Sequence, residues 1–333
     1  MKTGLFCNYE NHHRDAHRAI WEQVALVKQV ESLGFEEAWI SEHHFNELNL
    51  NPAILLLMAH LAGVTSTIRL GTAAVLLPFH HPIRVAEDIA TLDHLCNGRL
   101  LFGVAKGGPF PQQNQHFAVP MSESRGKMLE AMALIQKLLY ETEVSFNGQY
   151  YQCDRLTIHP RPLQTPIPVY IASGDDNSIA FAAKHSFSLM GGPPFSLERL
   201  QKTVRKYREL NSSGAENLVL ARFFFVGRTD AEAVSEAMPF IRHFSQKMTA
   251  NSMQVVQNSG HQQKPFDRTN ICFDEDYLIE NSIIGDVGTC RDKIKKFQDQ
   301  LNLGTLALKP SSFALAKNQE SLERYNQEVR NYV

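Results

Sequence analysis

Short apolar runs alternate with segments of helical period along almost the whole chain. Residues 5–7 read as a strand, after which Ile20, Val24, Val27 and Val30 recur at helical spacing until Gly34 stops the helix. Residues 38–40 form a second strand, and Pro52 opens a helix that runs to about residue 63. The third strand, 69–77, is nearly all apolar and closes at Pro78; Val85, Ile89, Leu92 and Cys96 mark the next helix. Strand four is 100–104, followed by a helix carrying Met128, Met132, Ile135 and Leu139. Strands 169–172, 187–190 and 218–226 continue the alternation. Their helices are 178–185, the face made by Leu197, Leu200, Val204 and Tyr207, and one opened by Thr229 and Glu232 as a capping box. Cys290, Ile294, Phe297 and Leu301 give a late helix, 306–309 the last strand and 318–330 the last helix.

The pattern is eight β-then-α units. Strands buried on both faces read as continuous apolar runs, as a parallel sheet requires. Eight units closing on themselves make an α/β fold of the (β/α)8 TIM-barrel type. Two segments fall outside the repeat. Residues 143–168, with Tyr150, Tyr151 and four prolines, read as an insertion after strand four. Residues 245–282, polar and rich in Gln and Asn, read as one after strand seven. No internal repeat or compositional linker divides the chain, so the expectation is a single domain over 1–333.

Chemistry in such barrels sits at the carboxyl ends of the strands. Those ends carry small residues (Ala73, Ala74, Gly107, Gly108, Gly174, Gly191, Gly192) that let a flat ligand lie against backbone. Lys106, Arg125 and the run Ser173, Gly174, Asp175 to Ser178 opening a helix suit a terminal phosphate. The plainer alternative makes these glycines turn residues and Arg125 a surface charge. Asp175 and Asp176 oppose a simple anion hole unless one of them caps the helix. His43 and His44 are adjacent, as are His80 and His81, and neighbours on extended chain point to opposite sides. One of each pair is therefore expected to face the pocket, where an imidazole serves as general base or hydrogen-bond donor. Glu42, His43 and His44 are ligand types, but consecutive residues seldom share an ion and no HExxH pattern occurs, so no metal is expected. GxSxG, Walker and GxGxxG motifs are absent, which argues against a Rossmann dinucleotide domain. Cys7 is the one cysteine placed to see the pocket, with packing its expected role. Phe79, Phe110, Phe195 and Phe223 to Phe225 suggest apolar walls or, equally, core.

Composition narrows the partners. Apolar residues are 43% and charged residues 20%, an ordinary globular balance. Lys plus Arg is 33 against 35 for Asp plus Glu, so a broad nucleic-acid or anionic-membrane surface is not expected. The five cysteines are irregularly spaced, which fits free thiols in a reducing cytosol. The first residues hold too short an apolar run for a signal peptide. The longest apolar stretch, 53–64, is interrupted by His60 and falls short of a membrane span. A cytoplasmic protein is expected.

Several blocks carry a resemblance. They are Gly34-Phe35-Glu36-Glu37-Ala38-Trp39-Ile40 with Glu42-His43-His44-Phe45, and Gly71-Thr72-Ala73-Ala74-Val75-Leu76-Leu77-Pro78. His81-Pro82-Ile83-Arg84-Val85-Ala86-Glu87-Asp88 and Asn97-Gly98-Arg99 follow in order. With these blocks the chain resembles the bacterial luciferase-like flavin-dependent monooxygenases, most closely the luciferase catalytic-subunit type. The resemblance implies a barrel that binds reduced FMN, reacts it with O2 to a peroxyflavin and oxygenates a small organic, aldehyde-like substrate. It also implies a separate NAD(P)H:flavin reductase and a homodimer. His43 matches the family's catalytic histidine. Ala73 and Ala74 match a non-proline cis pair beneath the flavin. Lys106 and Arg125 match two phosphate-binding arginines, and Gly174, Asp175 and Ser178, with Ser173 in the same loop, match the rest of that site. Ala105 stands where the luciferase subunit has a reactive cysteine, so light emission is not implied. Two other readings stay open: a flavin- or deazaflavin-dependent reductase or dehydrogenase on the same barrel, and a non-catalytic flavin-binding subunit.

Overall fold

The computed structural model describes residues 1–108, 110–172, 174–211, 218–259 and 271–333. In chain order the elements are β1 (Lys2–Cys7), α1 (Ala16–Ser32), β2 (Glu37–Ile40), α2 (Ile54–Val64), β3 (Arg69–Thr72), β4 (Val75–Leu76), α3 (Pro82–Leu95), β5 (Leu100–Ala105), α4 (Pro111–His116), α5 (Ser124–Tyr140), β6 (Val144–Asn147), β7 (Gln152–Leu156), β8 (Val169–Ile171), α6 (Asp176–Lys184), β9 (Ser188–Gly191), α7 (Leu197–Leu210), β10 (Leu218–Val226), α8 (Asp230–Ser259), α9 (Glu275–Glu280), β11 (Ile283–Gly285), α10 (Val287–Gln300), β12 (Leu303–Pro310) and α11 (Leu315–Arg324).

Eight strands close a parallel ring in the order β1, β2, β3, β5, β8, β9, β10, β12 and back to β1. Alternation along each strand divides its side chains between two cores. Outward residues such as Leu5, Ile40, Phe102, Ile171 and Leu308 pack against helix residues such as Val27, Met58, Ile89 and Met132. Inward residues Trp39, Leu101, Tyr170, Met190, Val219, Ala221 and Ala307 fill the ring. Trp39 is wholly buried there, with the Tyr170 ring edge-on at 4.8 Å. It fits because Gly71 on the next strand has no side chain; a Cβ there would run into the indole. Its indole N–H donates to Glu37 Oε2 at 2.9 Å, Thr305 donates to the same oxygen at 2.8 Å, and Lys2 pairs with Oε1 at 2.9 Å. The lower barrel is thus packed and its polar atoms are partnered. In such barrels the carboxyl rim is where ligands bind.

Three expectations are corrected. Strand 69–77 is two strands, because the chain breaks at Ala73-Ala74, whose peptide is cis. β4 beyond the break still pairs with β5, Val75 with Val104 and Leu76 with Ala105. Of the segment 245–282, residues 245–259 continue α8, which has Pro239 inside it, and 260–270 lie outside the described residues. The segment's far side holds α9 and β11, which extends the sheet beside Phe224 to Val226 of β10. Before that segment the helix packs Ala233, Ala237, Phe240 and Ile241 into the core. The last helix ends at Arg324 and continues as a wider turn, Tyr325–Val329. The segment after strand four holds a two-stranded antiparallel hairpin of β6 and β7.

Candidate active site

Three groups of side chains meet at the rim. The first follows β2. Glu42 is buried, and its Oε1 accepts a bond from His44 Nε2 and another from His80 Nε2, each at 2.7 Å. Its Oε2 accepts the Leu76 N–H at 3.0 Å. Burial opposes a charge on Glu42, but the two imidazoles outweigh it and hold its pKa below the usual carboxylate range. His80 moves the other way. Burial would lower it, yet the Glu42 carboxylate raises it above the ordinary histidine value. Sequence spacing gave no sign that His80, 38 residues away, would join Glu42 and His44. The structure thus brings three groups of metal-ligating type within 4.8 Å of one another, bonded here among themselves.

His43, between the two pinned residues, is half-buried and turns its ring edge to Phe110, 6.2 Å away. Burial pushes its pKa down to about 4, and the ammonium groups of Lys309 and Lys247 push in the same direction. His43 is therefore neutral at ordinary pH. His81, the other half of its pair, lies against Tyr151 at 6.2 Å.

The second group was not anticipated. Lys309 takes the inward step of β12 that follows Thr305 and Ala307, and it is buried. It pairs with Glu10 Oε1 at 2.9 Å, and its ammonium sits 5.1 to 5.4 Å from the ring centres of Phe223, Phe240 and Phe244. Burial works against the Glu10 charge, but Lys309 and His12 take its pKa down to about 2. Phe223 is thus a wall of this cage. Alternation along the last strand was the available signal for Lys309. Lys247 reaches the rim from α8 and donates to Asn46 Oδ1 at 2.6 Å.

The third group gathers around the start of α6. Asp175 caps that helix, accepting the Ser178 N–H at 3.1 Å and the Ser178 hydroxyl at 3.0 Å. It also pairs with Arg125 Nε at 3.0 Å. Arg199, from α7, lies with its guanidinium over the Phe195 ring at 4.5 Å and against Gly174, where a Cβ would come within 2.7 Å of Nη2. Lys106 completes the group. Burial lowers its pKa, Asp175 opposes that, and Arg125 and Arg199 add to it. Asp176, the other acid at this helix start, pairs with Lys206 at 2.6 Å, so three further cations surround the one carboxylate of Asp175, an excess of two positive charges. That balance matches a phosphate monoester dianion, and it fits the phosphate end of a flavin mononucleotide. In the ring order β3, which Ala73 and Ala74 follow as a ledge, stands between β2, which leads to His43, and β5, which leads to Lys106. Arg199 was missed because nothing local to α7 marks it as facing α6. Ser173 lies outside the described residues. Cys7 is wholly buried in the outer core, and burial drives its thiol pKa upward, so it does not reach the pocket as a nucleophile.

A parallel β/α barrel with a ligand site at its carboxyl rim defines the class. The sequence pattern described as luciferase-like monooxygenase matches residues 1–301, and the chain belongs to that family. It is 29% identical over 233 residues to the limonene 1,2-monooxygenase of Rhodococcus erythropolis, covering 69% of this chain and 60% of that one. It is 32% identical over 192 residues to the alkanal monooxygenase alpha chain of the Kryptophanaron alfredi symbiont, covering 57% and 54%. It is also 32% identical over 173 residues to the oxygenase component of the flavin-dependent trigonelline monooxygenase of Acinetobacter baylyi, covering 52% and 48%. The match thus spans about half to three-fifths of these relatives. Solved structures share the fold. The oxygenating constituent of 3,6-diketocamphane monooxygenase from Pseudomonas putida, in complex with FMN, aligns at a TM-score of 0.80 and 20% identity over 100% of this chain and 99% of that one. The coenzyme F420 dependent tetrahydromethanopterin reductase of Methanopyrus kandleri aligns at 0.75 and 18% over 99% of each. Among the described residues no helix is long and apolar enough to cross a membrane.

Proposed function

We propose that this chain is the oxygenating enzyme of a two-component system. It takes reduced FMN from a separate NAD(P)H:flavin reductase and uses O2 to place one oxygen atom in a small organic, aldehyde-like substrate. In this reading it works in the cytoplasm as a homodimer. The observation that carries the reading is the pairing, on one rim, of a neutral imidazole with three cations around one carboxylate. Reduced FMN, when bound, supplies the two electrons that divide O2 between product and water.

The chain's own residues do the rest. Lys106, Arg125 and Arg199 hold the phosphate, helped by the N-terminus of α6. Asp175 keeps Arg125 and Ser178 in place rather than touching the anion itself. Ala73 and Ala74, whose side chains are no larger than a methyl group, would leave room for the ring system against the backbone. A ring nitrogen of neutral His43 accepts a proton from the reacting group or returns it. Phe110 beside it, and the Lys309 cage, limit water at that end.

The test mixes the protein carrying photoreduced FMN with air-saturated buffer and follows absorbance in a stopped-flow instrument. The expected result is a transient spectrum distinct from both reduced and oxidised FMN. In His43→Ala its lifetime should fall by about 100-fold or more, the usual scale for a lost acid–base group. Single-phase reoxidation at the rate of free flavin in the unaltered protein would sink the oxygenase reading.

A further inference from the structure

A carboxylate as deeply buried as Glu42 needs partners. Its partners tie together three segments of the rim. His44 lies on the loop after β2, His80 on the turn before α3, and Leu76 on β4, two residues beyond the Ala73-Ala74 ledge. His44 also packs its ring on Phe117 at 4.8 Å and edge-on to Phe79 at 6.3 Å. Glu42 and His44 are thereby both held toward β4 and α3. His43 between them turns instead to Phe110, away from the Phe79 and Phe117 rings that His44 meets. The charged groups that face it are Lys309 from β12, Lys247 from α8 and Glu10 from β1, with Glu42 on its own strand end.

We propose that Glu42 is a positioning residue: by holding His44 and His80 on one carboxylate oxygen and the Leu76 N–H on the other, it aims His43 across the mouth and fixes the ledge beside it. The importance of that aim rests on the proposed role of His43. The geometry itself does not, so it can be tested without flavin.

The experiment follows the histidine ring resonances by NMR against pH in the flavin-free protein. In the unaltered chain His43 should titrate near 4 and His80 above the ordinary histidine value. In Glu42→Ala the two rings are released; loss of the Glu42 charge alone would lower His43, but the water its side chain gains should move it upward on balance, toward 6.5. Glu42→Gln keeps an acceptor oxygen without the charge. It should leave His43 within about half a unit of its starting value while His80 falls. If Glu42→Ala does not fold, the double variant His44→Ala/His80→Ala removes the same two bonds and is read the same way. A His43 that stays near 4 when both rings are released would overturn the proposal. So would stoichiometric zinc uptake in equilibrium dialysis that is lost in Glu42→Ala, since the three groups would then serve a metal. Retained FMN binding with a moved His43 supports positioning even if the oxygenase reading fails.

Discussion

The two ends of the rim handle charge in opposite ways. Around His43 most charges have an opposite partner: Glu42 is shared by His44 and His80 and Glu10 meets Lys309, while Lys247 donates to Asn46. Around α6 they do not cancel: Lys106, Arg125 and Arg199 share the single carboxylate of Asp175. Grouping like charges is unfavourable unless something else neutralises them. The cationic end is therefore the end built for a charged part of a ligand. The balanced end is built to keep one imidazole neutral and aimed.

Three measurements can break or sharpen that contrast. The largest effect is expected for Lys106→Met combined with Arg125→Gln. Each lost charge-assisted hydrogen bond is worth about 1.5–3 kcal/mol, so FMN affinity by fluorescence quenching should fall by about 100-fold or more. Riboflavin, which lacks the phosphate, should bind as before. Equal losses for both ligands would mean that the cations serve the fold.

A smaller effect of opposite sign is expected for Asp175→Asn. Asparagine also caps helices well, so the melting temperature should hardly move. Removal of the one negative charge should tighten FMN binding by about threefold to tenfold, a gain of order 1 kcal/mol. Weaker binding would show that the hold of Asp175 on Arg125 outweighs the repulsion of its charge toward the phosphate.

The smallest effect is in pH dependence, where the two ends should differ. A phosphate monoester loses its second charge below about pH 6, so FMN affinity should drop several-fold between pH 7 and 5. His43 has its pKa lowered to about 4, so it stays neutral over that whole interval. The lifetime of the transient at saturating FMN should therefore change by less than about twofold and fall only as pH approaches 4. A fall centred near 6.5 would mean that His43 is not held in the buried, cation-flanked setting described above.

Much of this site was legible beforehand. The eight units, the small residues at strand ends, and the candidacy of His43, Lys106 and Arg125 followed from apolar runs and the residues just after them. Strand three read as unbroken because its apolar pattern continues through Ala73-Ala74 into Val75 and Leu76. Hydrophobicity reports burial, and burial persists across the break. The region beyond 245 read as an insertion because it is polar and rich in Gln and Asn, although residues 245–259 continue a helix.

By itself the sequence determined which stretches are buried and which chemical types follow them, because those properties depend on spacing along one element. It did not determine who meets whom across the rim. Glu42 bonding His80, Lys309 entering an aromatic cage and Arg199 joining Lys106 and Arg125 each require strands far apart in the chain to become neighbours. Closure of the barrel decided those meetings. A side chain's local pattern fixes only the side of its own element on which it lies, while its electrostatic partners are fixed by what the ring places opposite.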